Sequence, residues 1–406
     1  MKAFALALSL GAVLIPIRSS NSQTVDPARV GAVIPLRRIE LATVEAILEA
    51  TPGAASSSAF SALGLDDRLW RQPSDRAALI AAVDYSLSYL QTPAAREAYQ
   101  NYPVPGFSLD RVRRSLERFR QLVLTARSAE ALQAAVLQEF DLYESVGSDG
   151  NGTVGFTGYF EPIHTASRIP TSEFRYPLYR LPPNFKQWTT PHPTRAELEG
   201  IDGRQGTAGQ LRGLEIAWLR DRLEAYLVQV QGSARLQLTD GSTLSVGYAG
   251  RTDYPYVSIG RELVNAGKIA DADLTLDAVI EYFRQHPEAL DLYLPRNNRF
   301  IFFKETTGLP ATGSLRVPVT AERSIATDKT LLPPGALAII QTQLPQVDQQ
   351  GNVTAAFVSR YVLDQDTGGA IRGAGRVDLF MGTGAAAGNR AGLINNTGRL
   401  YYLLLK

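Results

Sequence analysis

The chain has 406 residues, a formal net charge of +1 and no cysteine. That length predicts two folded units or one domain with a large insertion, and the near-neutral charge argues against a nucleic-acid partner, because non-specific binding depends on positive charge. Without cysteine, disulfides, thiolate zinc sites and cysteine nucleophiles are excluded, so any catalysis must rest on carboxylates, hydroxyls, tyrosines or lysines.

The first residues have the pattern of a secretory signal peptide. Lys2 provides a basic start, and the apolar run Ala3–Ile17 is shorter than the about 20 residues that a transmembrane helix needs. We therefore expect residues 1–23 to form a signal peptide and the remainder to be exported and soluble. A retained N-terminal anchor is the alternative, because Ser19–Gln23 has no clear Ala-x-Ala cleavage signal.

Helical spacing of apolar residues dominates the first third of the chain. A turn cluster, Gly147–Gly152, ends this part. Ser74 and Asp75 are placed to cap the second of four predicted helices. The apolar faces predict these helices over residues 41–48, 79–90, 109–126 and 129–143.

After this turn cluster the apolar pattern changes to the period of two that is typical of strands. Asp240-Gly241 predicts a type I′ hairpin, and Gln231-Gly232-Ser233 falls within the strand before it. Two helices are predicted at 217–223 and 277–284. Many short strands separated by turns favour β-barrels over a doubly wound sheet. The predicted strands cover residues 154–159, 226–238, 242–248, 300–303, 315–319, 336–341, 355–363 and 376–380.

The densest candidate for chemistry is the glycine-rich loop between Asp366 and Asp378. Its glycines allow the backbone to approach a ligand closely, so amide donors and a carboxylate can meet at one point. Asp378 interrupts the apolar run from Val377 to Met381, where burial should raise the pKa of its carboxyl, as a general acid near neutral pH requires. A β-turn with a capping aspartate is the simpler interpretation of the loop.

Several aromatic and polar side chains beside glycines suit a sugar-binding surface, although such residues also fill ordinary β cores and turns. They are Tyr159, Glu161, Gln231, Gly232, Ser233, Tyr248, Tyr256 and Ser258. The glycine run 382–388 lacks the βαβ context of a nucleotide site, and the histidines show no metal-ligand spacing. We therefore expect neither a cofactor nor a metal. The histidines are His164, His192 and His286.

Eight segments, in this order, resemble the membrane-bound lytic murein transglycosylase A family. The resemblance spans about residues 155–402 and is specific, since eight ordered matches are hard to obtain by chance. The part from Arg323 to Asp378 is also similar to the domain family named for three aspartates, which here are Asp328, Asp366 and Asp378. The matching segments are 157–162, 176–183, 230–234, 248–250, 256–261, 300–304, 323–328 with 333–335, and 366–378.

The resemblance implies a mainly β fold with a helical N-terminal part. Residues 24–158 and 304–406 would form a double-psi β-barrel domain with the N-terminal helices, and residues 159–303 an inserted β-rich substrate-binding domain. A groove between the two would hold a glycan strand. The family's single catalytic aspartate corresponds to Asp378, with Asp366 and Asp328 in support. Loop residues join the expected substrate-binding set, namely Gly368, Gly369, Ala370 and Arg372.

The activity that the resemblance implies is cleavage of the β-1,4 bond between N-acetylmuramic acid and N-acetylglucosamine in peptidoglycan. Asp378 would protonate the leaving oxygen and then accept the proton of the muramic C6 hydroxyl, which leaves a 1,6-anhydro end. We expect a monomer that acts on glycan strands in the periplasm or cell envelope, with a peripheral position at the outer membrane as one option. Named family members are lipoproteins attached through an N-terminal cysteine, so no lipid anchor is expected here.

Two other interpretations stay open. In an ordinary glycoside hydrolase Asp378 would work with a second carboxylate, about 5–5.5 Å away for retention or about 6.5–9.5 Å away for inversion. In a non-catalytic glycan-binding protein the same barrel would bind without cleavage, since a fold does not determine function. The products formed from murein distinguish these cases. The candidates for the second carboxylate are Asp366, Asp328 and Glu161.

Overall fold

The computed structural model describes residues 34–40, 62–306, 310–347 and 353–406. The predicted signal peptide and the predicted helix over 41–48 lie outside these ranges. Within them, no helix combines the length and the apolar character needed to cross a membrane.

The chain forms two compact units. The insert unit comprises Gly158–Thr312 and Met381–Gly392. The aspartate unit, named for its three aspartates, comprises Gly313–Phe380, Leu393–Lys406 and the described residues up to Thr157. The insert boundaries expected from the sequence, 159–303, stay a prediction.

A helical part precedes a strand-rich part, as the sequence predicts. The helices of the described residues are α1 (Arg68–Arg71), α2 (Pro73–Leu90), α3 (Pro93–Gln100), α4 (Leu109–Thr125), α5 (Ala129–Glu139), α6 (Arg195–Glu199), α7 (Arg222–Gln231), α8 (Ile259–Asn265), α9 (Leu276–Gln285), α10 (Leu290–Tyr293) and α11 (Ala385–Gly392). The strands are β1 (Leu36–Ile39), β2 (Phe140–Ser145), β3 (Val154–Glu161), β4 (Ile163–Ser167), β5 (Tyr176–Tyr179), β6 (Glu215–Leu219), β7 (Ser233–Leu238), β8 (Thr243–Arg251), β9 (Ile301–Glu305), β10 (Ser324–Ala326), β11 (Leu337–Val347), β12 (Val353–Asp366), β13 (Arg376–Thr383) and β14 (Asn395–Leu405).

The N-terminal helices of the aspartate unit begin at capping side chains. The hydroxyls of Ser108 and Ser128 accept hydrogen bonds from first-turn amides of α4 and α5. Neither Ser74 nor Asp75 caps α2, contrary to the prediction. The fourth predicted helix is also too long, because α5 ends at Glu139 and β2 follows. Since β2 is buried on both faces, its apolar residues prolong the helical pattern of α5.

The strands of the aspartate unit follow the order β1-β2-β14-β11-β12-β10-β13-β3. Because β3 also pairs with β14, the six strands from β14 to β3 close into a barrel. Within it, β10 lies between β12, to which it is parallel, and β13, to which it is antiparallel. Residues 315–319, a predicted strand, are not one: the chain turns and bends over 315–317, where Arg316 has a φ of 62°, and Pro318 forms an isolated bridge.

The insert unit has its own six-stranded sheet in the order β5-β6-β4-β7-β8-β9. A bridge between Arg180, which follows β5, and Phe303 of β9 closes the ring. Buried side chains such as Leu178, Leu236 and Val246 fill its core. The predicted fold class, mainly β with two barrels and N-terminal helices, is therefore confirmed.

The structure corrects the prediction around Gln231-Gly232-Ser233. The helix expected over 217–223 is wrong, because α7 begins only after Asp221, whose side chain accepts a hydrogen bond from an amide of the first turn. Residues 226–231 are helical, although a strand is predicted there. The prediction fails because α7 is buried on nearly all sides and so lacks the polar face that would reveal a helical period. Gly232 ends α7 with a φ of 77°, so the three residues form a helix-to-strand junction.

The predicted hairpin at Asp240-Gly241 is confirmed by the antiparallel pairing of β7 with β8. Its turn is not of type I′, which needs a positive φ at both central residues. Gly241 has a φ of 86°, whereas Asp240 is not among the described residues with a positive φ. The loop therefore uses one left-handed glycine.

A fully buried arginine, Arg323, joins the N-terminal helices to the barrel of the aspartate unit. Its guanidinium donates to Asp66 Oδ2 over 2.5 Å and also to Asp75. The side chain of Arg323 is 0% exposed, and those of Asp66 and Asp75 are 2% and 6% exposed. Buried charges persist when they are paired and hydrogen-bonded, and removal of one partner is strongly destabilising. These pairs therefore hold the helices on the barrel that contains Asp378.

Candidate active site

Strand register brings two of the predicted aspartates together. In β10, Ala326 pairs with Asp366 of β12 on one side and with Asp378 of β13 on the other. The two aspartates therefore lie two strand spacings apart, roughly 10 Å between Cα atoms. Burial is the main cause of the raised pKa of Asp378, and the charge of Asp366 adds a smaller effect in the same direction.

Asp378 is the buried member of this pair. Only 4% of the residue is exposed, and the Thr157 hydroxyl donates a hydrogen bond to its Oδ1 over 2.8 Å. Burial raises the pKa of Asp378 to about 6, against the opposing effects of Arg376 and of the Thr157 hydrogen bond. The predicted burial and raised pKa are confirmed. A carboxyl with this pKa can both donate and accept a proton near neutral pH.

Two residues that the sequence analysis does not single out complete this environment, Thr157 and Arg376. Arg376 Nη2 donates to Thr157 Oγ1 over 3.1 Å, so the hydroxyl connects the guanidinium to the carboxylate. Burial lowers the pKa of Arg376, whereas the charge of Asp378 acts to raise it. The available signal for Arg376 was its place two positions before Asp378, on the same face of β13. Thr157 stands in a segment that carries the family resemblance.

Asp366 is held by backbone amides at the end of β12. Its Oδ1 accepts hydrogen bonds from the amides of Ser314, at 2.7 Å, and Thr367, at 2.8 Å. The neighbouring Gly313 must be small, because a Cβ there would lie 2.7 Å from a backbone carbonyl oxygen. These hydrogen bonds fix the position of the Asp366 carboxylate, two strand spacings away from Asp378.

The third predicted aspartate, Asp328, ties down the glycine-rich loop. Its Oδ2 accepts a hydrogen bond from the Gly373 amide at 2.9 Å, and its Oδ1 accepts from the Thr330 hydroxyl at 2.7 Å. Although burial acts to raise it, these hydrogen bonds lower the pKa of Asp328 overall, which makes it a poor proton donor near neutral pH. The loop residues Gly369, Ala370 and Arg372 are exposed, and Gly368 is half-buried.

Asp366→Asn is expected to lower the pKa of Asp378, because it removes a negative charge that disfavours ionisation of the neighbouring carboxyl. Carbon-13 NMR titration of the Asp378 carboxyl measures this pKa directly, and the Asp378→Asn spectrum identifies the signal. Asp149→Asn, in a turn remote in sequence, is the control and should leave the pKa in place. An unchanged or higher pKa in Asp366→Asn would show that the two carboxyls do not interact.

Glu161 has the best-defined surroundings among the predicted residues of the insert unit. It is 1% exposed, accepts a hydrogen bond from the Thr383 hydroxyl at 2.8 Å and lies 3.3 Å from Arg235. Burial raises the pKa of Glu161 despite these partners. Its backbone carbonyl also accepts a hydrogen bond from the Gly384 amide, so Glu161 anchors the start of α11.

The other predicted residues of the insert unit fall at two places. Gln231-Gly232-Ser233 lies where α7 meets β7, and β7 pairs with β8, which carries the 42% exposed Tyr248. Tyr256 and Ser258 precede α8, which Ser258 caps through its hydroxyl. Burial raises the pKa of Tyr256 well above its usual range. Tyr159 is half-buried in β3.

The described residues contain no group of three or more histidine, aspartate or glutamate side chains placed to hold a metal ion. Each histidine has a carboxylate oxygen within 4 Å of its Nδ1, in the pairs His164–Glu224, His192–Asp253 and His286–Glu288.

Comparisons with known proteins connect both units to characterised families. The family described as MltA specific insert domain matches residues 155–304, and the 3D domain family matches residues 323–404. The second match includes all three aspartates, Asp328, Asp366 and Asp378. The N-terminal helices lie outside both matches.

The relatives of this chain include proteins named membrane-bound lytic murein transglycosylase A. The protein from Escherichia coli (strain K12) is 33% identical over 266 residues, which cover 65% of this chain and 69% of the relative. The protein from Vibrio cholerae is 33% identical over 264 residues, which cover 64% of this chain and 68% of the relative.

Solved structures with a similar fold include one from Agrobacterium tumefaciens and one from E. coli. A membrane-bound lytic murein transglycosylase from Agrobacterium tumefaciens superposes with a TM-score of 0.66 at 26% identity, covering 84% of this chain and 94% of that one. E. coli MltA with bound chitohexaose superposes with a TM-score of 0.61 at 27% identity, covering 80% of this chain and 90% of that one.

Proposed function

Because this chain belongs to the membrane-bound lytic murein transglycosylase A family, we propose that it is a lytic transglycosylase that cleaves peptidoglycan. The bond broken is the β-1,4 link between N-acetylmuramic acid and N-acetylglucosamine. The observation that carries this proposal is Asp378, a 4% exposed carboxyl with a pKa of about 6 in a barrel of the 3D domain family.

One carboxyl performs both proton transfers in the proposed reaction. Asp378 donates its proton to the glycosidic oxygen as the bond to the anomeric carbon breaks. The resulting carboxylate takes the proton of the muramic C6 hydroxyl, whose oxygen bonds to the anomeric carbon and forms the 1,6-anhydro end. An intramolecular nucleophile has an effective concentration of the order of 10⁵ M or more, so no second catalytic carboxylate is needed.

The other aspartates have supporting tasks in this proposal. Burial is the main cause of the high pKa of Asp378, and the charge of Asp366 adds to it; Asp328 holds the glycine-rich loop in place through the Gly373 amide. The exposed amides and side chains of that loop are proposed to contact the sugar. The proposed substrate contacts are Tyr159, Glu161, Gln231, Gly232, Ser233, Tyr248, Tyr256, Ser258, Gly368, Gly369, Ala370 and Arg372.

A cell-wall glycan strand is the proposed ligand. In support, a solved relative, E. coli MltA, holds chitohexaose. Relatives are named membrane-bound, which favours a location in the cell envelope for this chain too. The monomeric state and the absence of a lipid anchor stay predictions.

Digestion of isolated murein by the purified protein tests the proposed function. We expect mass spectrometry of the soluble fragments to show 1,6-anhydro-muramic ends, because the C6 hydroxyl attacks in place of water. Reducing muramic ends would instead indicate hydrolysis by a carboxylate pair. Binding to murein without soluble products would indicate a glycan-binding protein.

A further inference from the structure

We propose that Arg376 is a positioning residue that acts through the Thr157 hydroxyl and confines the exchangeable proton of Asp378 to the oxygen Oδ2. Both proton transfers of the proposed function would then use a single oxygen, so the task assigned to Arg376 rests on that function. The three side chains belong to the aspartate unit and form one chain of hydrogen bonds.

This chain of hydrogen bonds has a fixed direction. A guanidinium only donates, so Thr157 Oγ1 must accept the 3.1 Å hydrogen bond from Arg376 Nη2. A hydroxyl has one proton, and that of Thr157, a residue only 3% exposed, points along the 2.8 Å contact to Asp378 Oδ1. Oδ1 is therefore the acceptor oxygen of the carboxyl.

A proton on Oδ1 would reverse the second hydrogen bond. Thr157 Oγ1 would then receive two donors, and its own proton would lose its acceptor in a buried place, which costs the desolvation energy of an unpaired donor. The proton of Asp378 therefore resides on Oδ2. Donation to the glycosidic oxygen and uptake from the C6 hydroxyl then occur at the same atom, without rotation of the carboxyl.

The surroundings of Arg376 favour this task over simple packing. Its Nε is buried and has no hydrogen-bond partner among the described residues. Its Nη2 donates the hydrogen bond to Thr157. Arg376 is half-buried, and its charge is compensated by the hydrogen bond to the Thr157 hydroxyl and by the nearby Asp378 carboxylate. The groups that compensate Arg376 are thus the same two groups that the proposal connects, Thr157 and Asp378.

Kinetics at a pH where Asp378 is protonated in every variant measure the positioning effect apart from any change of pKa. Thr157→Val and Arg376→Met are each expected to lower kcat roughly tenfold to hundredfold, as misplacement of a reacting group does. Thr157→Ser keeps the hydroxyl and should keep kcat near the wild-type value. Because Arg376 acts through Thr157, Arg376→Met should cause little further loss in the Thr157→Val background.

Thr342→Val is the matched control. Thr342 is also a buried threonine of a barrel strand, 2% exposed, but its hydroxyl donates to the backbone carbonyl of Thr397. The substitution removes the same atoms as Thr157→Val, and kcat and the pKa of Asp378 should both stay at wild-type values. A loss caused by any buried hydroxyl deletion in this barrel would appear in this variant as well.

Carbon-13 titration of Asp378 adds a readout that does not need turnover. Thr157→Val should raise the pKa of Asp378, because the carboxylate loses a hydrogen bond, and Thr157→Ser should restore it. Independent, multiplicative losses of kcat in the double variant, or an unchanged pKa in Thr157→Val, would overturn the assignment. If the wild-type protein forms no anhydro ends while the pKa moves as expected, the proposed reaction and the task of Arg376 in it both fail, and only the hydrogen bond from Thr157 to the Asp378 carboxylate stands.

Discussion

Asp378→Asn is expected to lower the rate of murein cleavage by about 10³–10⁴-fold, the upper range for loss of a general acid–base group. Asparagine has nearly the same shape, but it cannot exchange a proton with the glycosidic oxygen or with the C6 hydroxyl. Binding to the glycan should persist, since the exposed loop residues are unchanged. Release of soluble anhydro fragments measures the rate, and co-sedimentation with murein measures binding.

The same substitution should leave the protein folded near neutral pH. The folded-state pKa of Asp378, about 6, is higher than its ordinary value of 3.8, so its carboxyl contributes no penalty to folding below the lower value. As the pH rises from 3.8 to about 6, the unfolded state loses this proton while the folded state keeps it, so stability falls by on the order of 3 kcal/mol at most and then stays constant. Asparagine removes that cost. The thermal midpoint at pH 8 should therefore equal or exceed that of the wild type.

Asp364→Asn is the matched control for this experiment. Asp364 is a fully buried aspartate of the same barrel that accepts hydrogen bonds from the Tyr402 hydroxyl at 2.6 Å, the Thr327 hydroxyl at 2.8 Å and Lys329. Its loss should lower the thermal midpoint while the folded protein still forms anhydro ends. Appreciable formation of anhydro ends by Asp378→Asn would remove Asp378 from its proposed role.

Arg323→Met is expected to lower the free energy of unfolding by about 3–5 kcal/mol. Methionine fills much of the same volume, but it leaves the carboxylates of Asp66 and Asp75, which are 2% and 6% exposed, without their counter-charge. Urea denaturation followed by circular dichroism measures the change. A loss of this size would show that the N-terminal helices, which lie outside the matched families, contribute to the stability of the barrel.

Arg120→Met provides the comparison for an exposed ion pair. Arg120 pairs with Asp84 on the helix surface, and its loss should change the free energy of unfolding by less than about 1 kcal/mol. Arg323→Lys keeps one positive charge and should give an intermediate value. If Arg323→Met were no more destabilising than Arg120→Met, the buried arginine would not be what holds the helices on the barrel.

Local patterns in the chain predict the elements that short-range forces determine. The apolar spacing over 277–284 corresponds to α9, Leu276–Gln285, and Asp240-Gly241 forms a hairpin. Prediction fails where burial is nearly complete. Both faces of β2 are buried and α7 is surrounded on most sides, so neither retains the polar face that would reveal its period.

The candidate site likewise has features that the local sequence predicts and features that only the pairing of distant strands decides. The apolar run over residues 377–381 predicts that Asp378 is buried and that its pKa is raised, because a continuous apolar run indicates a strand that is covered on both faces. Its partners come from elsewhere: Thr157 is 221 positions away, and Asp366 is placed by the register of β10. Strand pairing depends on the packing of the whole barrel, so contacts between such distant residues leave no periodic signal in the amino-acid order.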